Sequence, residues 1–490
     1  MTTSLPVSAA AHRLPAFFAW FVIVAALLLF PCGTIQYGDG KARLIQTKAF
    51  LQGSIAIPPN LLRDNTGQID PNILQSPNGN YYSKYGLGIS ILWIIPVGAA
   101  LAIHKVTGVN YDLLAHFFTS FFNPLITLLI CVMISKLLRH DGRTRFGRIA
   151  ALATLLLATT TLPMANTGFS EPLCALLILA GFTLPLVMAN RGRAVLLSGA
   201  LLASVATIKP DLAFLPALGL LIIARFGLRQ FVRFSIAASW GALWILITNK
   251  LFRGGWLSLS YGAEAAKFQS PAAGLYGYFL GVDRNIVLFN LGLLPALLAW
   301  IWLPRDSRWR PLRLPVLALW LCFIALYAAW WEWRGGWCFG PRFFLPLIPL
   351  TLLPIGQAAE RIAAATRGSG ALRLALSVFV VPLFLAATLI EWSGTSVANW
   401  EAHKVVDELP PGGATELGAQ LRLLELKLIR GPRSPERYQA HDFIPMIDPA
   451  QDKPIDLTER RQMVYLNHWW AIFAAMKMQG VSAGDGPATH

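Results

Sequence analysis

Long apolar runs separated by short polar loops dominate the chain. A membrane-spanning helix needs about 20 apolar residues. Runs approaching that length fall near 14–32, 113–135, 149–166, 172–189, 194–208, 212–227, 234–252, 285–303, 314–332, 343–358 and 373–391. They predict an all-α polytopic membrane protein with about eleven transmembrane helices. A further run, "YGLGISILWIIPVGAALAIHK" (85–105), also looks like a span, and counting it would flip every later loop.

Lysine and arginine placement decides between the two topologies, because cytoplasmic loops collect these residues. If 85–105 does not cross, the loops at 136–148, 190–193, 225–233, 304–313 and 360–373 all face the cytoplasm, and all are basic. If it does cross, they face outward. The first arrangement is expected, with 85–105 tucked into the outer leaflet. It makes 33–112 one large extracytoplasmic loop containing juxtamembrane helices, within a membrane domain of residues 1–391. The N-terminus is then inside, behind an uncleaved signal anchor, and the small C-terminal region, 392–490, lies outside. In that tail "ATELGAQLRLLELKLI" carries a leucine stripe at helical spacing. Residues 466–478, with Trp469 and Trp470, suit an interfacial helix.

Composition agrees. Of 490 residues 55% are hydrophobic and 13% charged, against about 25% charged in an average soluble domain. Mean hydropathy is +0.53 and the pI is near 9.9. The net charge of +16 belongs to the membrane part, since acids and bases nearly balance in the tail. Basic cytoplasmic loops account for it, and no motif that reads nucleic acid is present. No pair of the five cysteines has zinc spacing. Cys32 and Cys338 both fall on the outer face, where a disulfide is one reading of the pair.

On this topology the unusual polar residues collect on one side. The first loop supplies Asp39, Lys41, Arg43, Lys48 and Lys84; later loops supply Glu171, Lys209, Asp211, Glu332, Arg334 and Arg342. Charge at membrane depth is costly and usually functional. Converging cations there suit a phosphate, and two arginines can fork onto one. Simpler readings stand beside these. Asp39 can cap a helix, "KARLIQTKAFLQ", that ends at Gly53; Lys41 and Lys48 can form a solvated stripe. Lys84 can snorkel to headgroups, Glu171 can favour a helix N-terminus, and Lys209 can anchor the end of a span. The aromatics around 327–337 can form an interfacial belt or stack on a sugar ring.

In order and sidedness, "YGDGKARLIQTKAFLQG", "YYSKYGLGISILWIIP", "FSEPLCALL" and "WRGGWCFGPRFFLPLIPL" resemble segments of the GT-C glycosyltransferases. The similarity is to bacterial relatives of protein O-mannosyltransferases and aminoarabinose transferases, and it runs loosely over 14–391. Two features depart from the family. The lysine segment lacks paired prolines, and Asp39-Gly40 stands where many members have Asp-Glu, leaving one carboxylate. The resemblance implies a GT-C-like bundle and a polyprenyl-phosphate sugar donor used outside the cytoplasm, in a bacterial plasma membrane. It implies a glycan, lipid or protein acceptor, inversion at the sugar, and Asp39 as catalytic base. Lys84, Arg334 and Arg342 would hold donor phosphate, with Lys48 and Lys209 in reserve. Arg43, Tyr85, Glu171, Trp333 and Trp337 complete the expected substrate-binding set. No cofactor is indicated, though a divalent metal is compatible with such a site. Two other function classes fit the same features: a transporter of lipids or lipid-linked sugars, and a non-catalytic membrane assembly protein.

Overall fold

The computed structural model describes residues 14–29, 38–62, 69–257, 264, 267–336, 338–396, 399–409, 415–430, 437–439 and 454–456. The described chain is overwhelmingly helical. Two short antiparallel strand pairs interrupt it, Ile73–Gln75 with Tyr81–Ser83 and Arg437–Gln439 with Pro454–Asp456. The adjacent tyrosines of "YYS" suit a strand better than the helix of an all-α reading.

Among the described residues, five helices are long and apolar enough to cross a membrane: Tyr111–His140, Arg191–Ile208, Leu228–Arg253, Arg310–Ala329 and Gly370–Thr395. Arg342–Thr351 and Ile355–Arg367, bent by 58°, make a sixth if taken as one broken span. Pro346, Pro349 and Pro354 lie in this stretch and remove backbone donors, which explains the break. Other apolar runs form shorter helices. The run at 149–166 divides into Arg145–Leu157 and Thr161–Ala165. At the division the Thr160 amide leaves the helical ladder and donates to Asn290 Oδ1 at 2.9 Å. The run at 285–303 becomes the short turn Leu288–Asn290 followed by Leu293–Ile301. Within 85–105 the main helix is Ile94–Thr107, 14 residues closed by Gly108 at φ 72°. Its length of about 21 Å is less than a hydrocarbon core of about 30 Å. It packs on Tyr111–Ser120 and on the helix that carries Asp39.

The five basic segments meet in two groups. Arg143 Nη1 is 3.3 Å from Glu360 Oε2, Arg308 contacts His140, and Arg361 Nη1 donates to Trp302 O at 3.4 Å. Arg191 lies 4.7 Å over the Phe226 ring. From these loops the helices run to a common opposite end. Phe122–His140 has His140 at the basic end, and near its start Asn123 donates to Thr167 O and Phe169 O at 2.6 and 2.8 Å. Glu171–Val187 begins at the opposite end and Arg191–Ile208 returns to it. The helix Arg313–Ala329 brings Tyr327 there as well. One large apolar core, including Trp93, Ile134, Phe182, Leu202, Phe323 and Phe344, binds these helices together.

Beyond Gly370–Ser396 come helices Asn399–Glu408 and Glu416–Arg430. The leucine stripe is buried at Leu417, Leu423, Leu424 and Leu426, so that helix forms where its periodicity places it. The interfacial helix expected at 466–478 lies outside the described residues.

Candidate active site

A cavity of about 500 Å³ opens at the end of the bundle away from the basic loops. Asp39 sits in its wall. The residue lies in the first turn of helix Gly38–Leu51, not ahead of it, so it is no N-cap of a helix starting at Lys41. Gly53 at φ 75° does close this helix, as its position in the sequence suggests. Both carboxylate oxygens have tertiary partners. Oδ1 accepts from the Tyr85 hydroxyl at 2.6 Å and Oδ2 from Arg342 Nη1 at 3.1 Å. Burial by itself would raise the Asp39 pKa. The charges of Arg342 and Arg43 and the bond from Tyr85 outweigh it and hold the carboxyl down at about 2.

Arg43, one turn further along the same helix face, is 1% exposed. Its Nη1 donates to Gly168 O at 3.1 Å and its Nη2 to Ser170 Oγ at 3.4 Å. The guanidinium lies 4.7 Å over the Tyr85 ring. Tyr85 reaches this place because Gly86 passes tightly across the end of the helix that precedes Lys209. A Cβ at Gly86 would come within 2.4 Å of Thr207 O and 2.6 Å of Ile208 O. The same crossing carries Lys84 to the cavity, where its Nζ is 3.1 Å from Glu264 Oε2.

Behind the opposite wall, buried Glu171 and Lys209 pair at 3.1 Å. Arg342 Nε stands 4.0 Å from the same Glu171 oxygen. The Arg342 guanidinium is 4.0 Å from the Phe169 ring and 5.2 Å from that of Phe343. Lys209 Nζ lies 4.7 Å over Phe343 and 5.3 Å over Tyr327, whose hydroxyl donates to Asp211 Oδ2 at 2.6 Å.

Six residues of the expected catalytic and binding set therefore line one cavity, Asp39, Arg43, Lys84, Tyr85, Lys209 and Arg342, and Asp211 and Glu332 from the same outer-face group line it too. Glu171 stands directly behind Lys209 and Arg342. Four others are elsewhere or undescribed. Lys48 turns to Asp112 at 2.5 Å and to the Tyr111 ring. Arg334 is exposed, its guanidinium over the Trp333 ring at 5.4 Å, so it does not converge on Arg342. Trp333 packs edge-on against Tyr278 at 5.7 Å, and Trp337 lies outside the described residues. Lys41 approaches Asp70 at 3.8 Å and is no free stripe. Cys338 is a buried free thiol, and Cys32, its candidate disulfide partner, lies outside the described residues.

Sequence reading missed Asp70, Asn72 and Glu264, which also line the cavity. Glu264 carried only the weak signal of an acid in a long polar loop. The lining is mixed in charge, with Asp39, Asp70, Asp211, Glu264 and Glu332 against Arg43, Lys84, Lys209 and Arg342. An anion entering this space must compete with carboxylates for Lys84 and Arg342, whereas Arg43 has no ion pair among the described residues. Among the described residues, no group of three His, Cys, Asp or Glu is placed to hold a metal ion.

No family model matches the sequence, and no curated protein is significantly similar to it. In fold the chain resembles AglB, an archaeal oligosaccharyltransferase from Archaeoglobus fulgidus, solved with an inhibitory peptide and a dolichol-phosphate. Identity is 11% and the TM-score 0.46, covering 80% of this chain and 58% of that one. It also resembles ArnT from Cupriavidus metallidurans bound to undecaprenyl phosphate, at 14% identity and a TM-score of 0.48, covering 97% and 79% of the two chains. The apo form of ArnT gives 15% identity and a TM-score of 0.44, over 86% and 73%. The chain thus spans less than two thirds of the archaeal protein's length, and identities this low transfer no residue roles.

Proposed function

We propose that this chain is an integral-membrane glycosyltransferase that moves a sugar from a polyprenyl-phosphate donor to an acceptor hydroxyl, with inversion. One observation carries the reading. A buried, ionised carboxylate, Asp39, shares a cavity with four cations at the end of the bundle remote from the basic loops. By the lysine and arginine rule that end is extracytoplasmic. Helix Glu171–Val187, 17 residues long, separates the two ends; at 1.5 Å per residue it spans about 26 Å, close to a hydrocarbon core.

The chemistry follows from the residues. A lipid phosphate is already a good leaving group and needs cations, not a general acid. The acceptor oxygen bonds to the anomeric carbon while its proton passes to Asp39. The bond from that carbon to the phosphate oxygen breaks, and its electron pair leaves on the lipid phosphate. Hydrolysis by a glycosidase uses two carboxyls; here one suffices. Arg342, Lys84, Arg43 and Lys209 hold phosphate, with Arg342 best placed. Tyr85 orients Asp39, and Glu171 positions Arg342 and Lys209. Trp330 and Trp331, which line the cavity, offer apolar surface to the sugar.

In this reading residues 1–391 form the catalytic membrane domain, 33–112 its large outer loop, and 392–490 an outer C-terminal region. The acceptor is a glycan, lipid or protein of a bacterial cell envelope. The test is to incubate purified protein with synthetic polyprenyl-phosphate hexoses and pentoses and follow sugar loss and anomeric configuration. Loss with inversion is expected. No loss from any donor, with water or simple alcohols as acceptors, overturns the proposal.

A further inference from the structure

Asp39 is held where a base is least useful. Proton abstraction is most efficient when the base has a pKa near the working pH, and this carboxyl sits near 2. The groups facing it are Arg342, Arg43 and the Tyr85 hydroxyl, and of these Arg342 contributes most to the depression. Arg342 is also incompletely satisfied. Its Nε is buried without a hydrogen-bond partner, as is Oε2 of Glu171 beside it. The guanidinium rests near two aromatic faces, Phe169 and Phe343. The cavity lies alongside.

We infer that Arg342 masks Asp39 in the resting protein and that the donor phosphate draws Arg342 away, releasing the carboxylate to act as base only when a donor is seated. The inference rests on the function proposed above and adds regulation to that site. The exchange is favourable because the donor phosphodiester, with one charge like the carboxylate, accepts a bidentate fork from the guanidinium. In the resting contact only one Arg342 nitrogen bonds to Asp39. Glu171 keeps the guanidinium near the cavity throughout, through the Nε side. Arg43 stays in place, since its nitrogens bond to Gly168 and Ser170. After the exchange the departing lipid phosphate is already held by the cation that released the base.

The test uses polyprenyl phosphate without sugar, so that no turnover occurs. Its affinity is measured for wild type, Asp39→Asn, Arg342→Gln and the double variant. If Asp39 competes with phosphate for Arg342, Asp39→Asn binds about tenfold tighter, the loss of one charged hydrogen bond to the competitor. That gain disappears in the Arg342→Gln background. A gain of equal size in both backgrounds is simple charge repulsion and overturns the exchange. So does no gain in either. A second readout needs no Arg342 variant. Once unmasked, Asp39 returns towards the ordinary carboxylate range near 4. At about pH 4, binding should then take up protons in wild type beyond those taken up by Asp39→Asn. Equal uptake overturns the exchange. If wild type binds no polyprenyl phosphate at all, the parent function fails; binding without coupling removes only this inference.

Discussion

Asp39→Asn removes a charge while keeping the side chain's shape, so it separates structure from chemistry. Asn can still accept from Tyr85, and the helix Gly38–Leu51 should persist. Losing a general base typically costs about 10²–10⁴ in rate. A folded variant that binds donor and transfers almost nothing is expected; near-normal turnover moves the base to Glu171, Asp211 or Glu332. The depressed carboxyl also makes a statement about stability. An acid whose folded pKa lies below its unfolded value stabilises the fold above the unfolded pKa, and this is lost as pH falls through the folded one. The melting difference between wild type and Asp39→Asn should hold from neutral pH down to about 4 and shrink as pH falls towards 2. Arg342→Lys keeps charge but loses the fork, so donor use should drop about tenfold, the value of a charged hydrogen bond; unchanged donor dependence argues against the clamp. Gly38 is constrained for a reason the sequence did not reveal. It is a close neighbour of Asn72, whose Nδ2 lies 2.4 Å from where a Cβ would sit. Asp39 and Arg342 stood out in the chain because charge is rare there. The Asn72 contact did not, because an asparagine in a polar loop carries no signal.

At the scale of elements, the segment carrying Arg342 is held by a helix from the C-terminal part of the chain. Arg284 is 2% exposed and ties three pieces together. Its Nε donates to Arg334 O at 2.7 Å, its Nη2 to Gly336 O at 3.2 Å, and its Nη1 to the Glu416 carboxylate. The Glu416 amide donates in turn to Asp283 Oδ1 at 2.8 Å. Helix Glu416–Arg430 is thus stapled to the loop that leads to Arg342. Arg284→Ala leaves buried partners without their charge, a change that costs about 3–5 kcal/mol. A lower melting temperature, faster proteolysis after Trp333 and weaker polyprenyl phosphate binding are expected together. Unchanged phosphate binding would show that the staple does not reach the site. Gly86→Ala acts at another junction, forcing a methyl against two helix-end carbonyls that cannot withdraw. Overpacking of this kind costs about 1–3 kcal/mol. The result should be misplaced Lys84 and Tyr85, seen as lost activity at a temperature where the variant remains folded. Helix existence was legible from hydrophobic runs, but helix ends were not. Proline clusters and the Thr160–Asn290 contact divide runs that look continuous.

At the scale of the whole molecule, the arrangement has two unlike ends. Basic loops that are far apart in sequence touch one another at one end, through Arg143 with Glu360 and Arg308 with His140. The cavity lies at the other. Cysteines placed at positions 143 and 308 should therefore resist an impermeant thiol reagent added to intact cells and react once the membrane is opened. Labelling from outside would place the cavity in the cytoplasm and remove the proposed donor's access. The sequence by itself determined the membrane class, the separation of basic loops from the odd polar residues, and the residue types available for chemistry. These follow from local physics, because each apolar run and each lysine or arginine answers to lipid and water independently of the rest. Only the tertiary structure decided which charges meet. It placed Arg342 on Asp39 across 303 positions of sequence, turned Lys48 and Arg334 elsewhere, and introduced Glu264 and Asp70. Those outcomes depend on how helices pack and where a glycine lets two backbones cross, and such contacts leave no periodic trace along the chain.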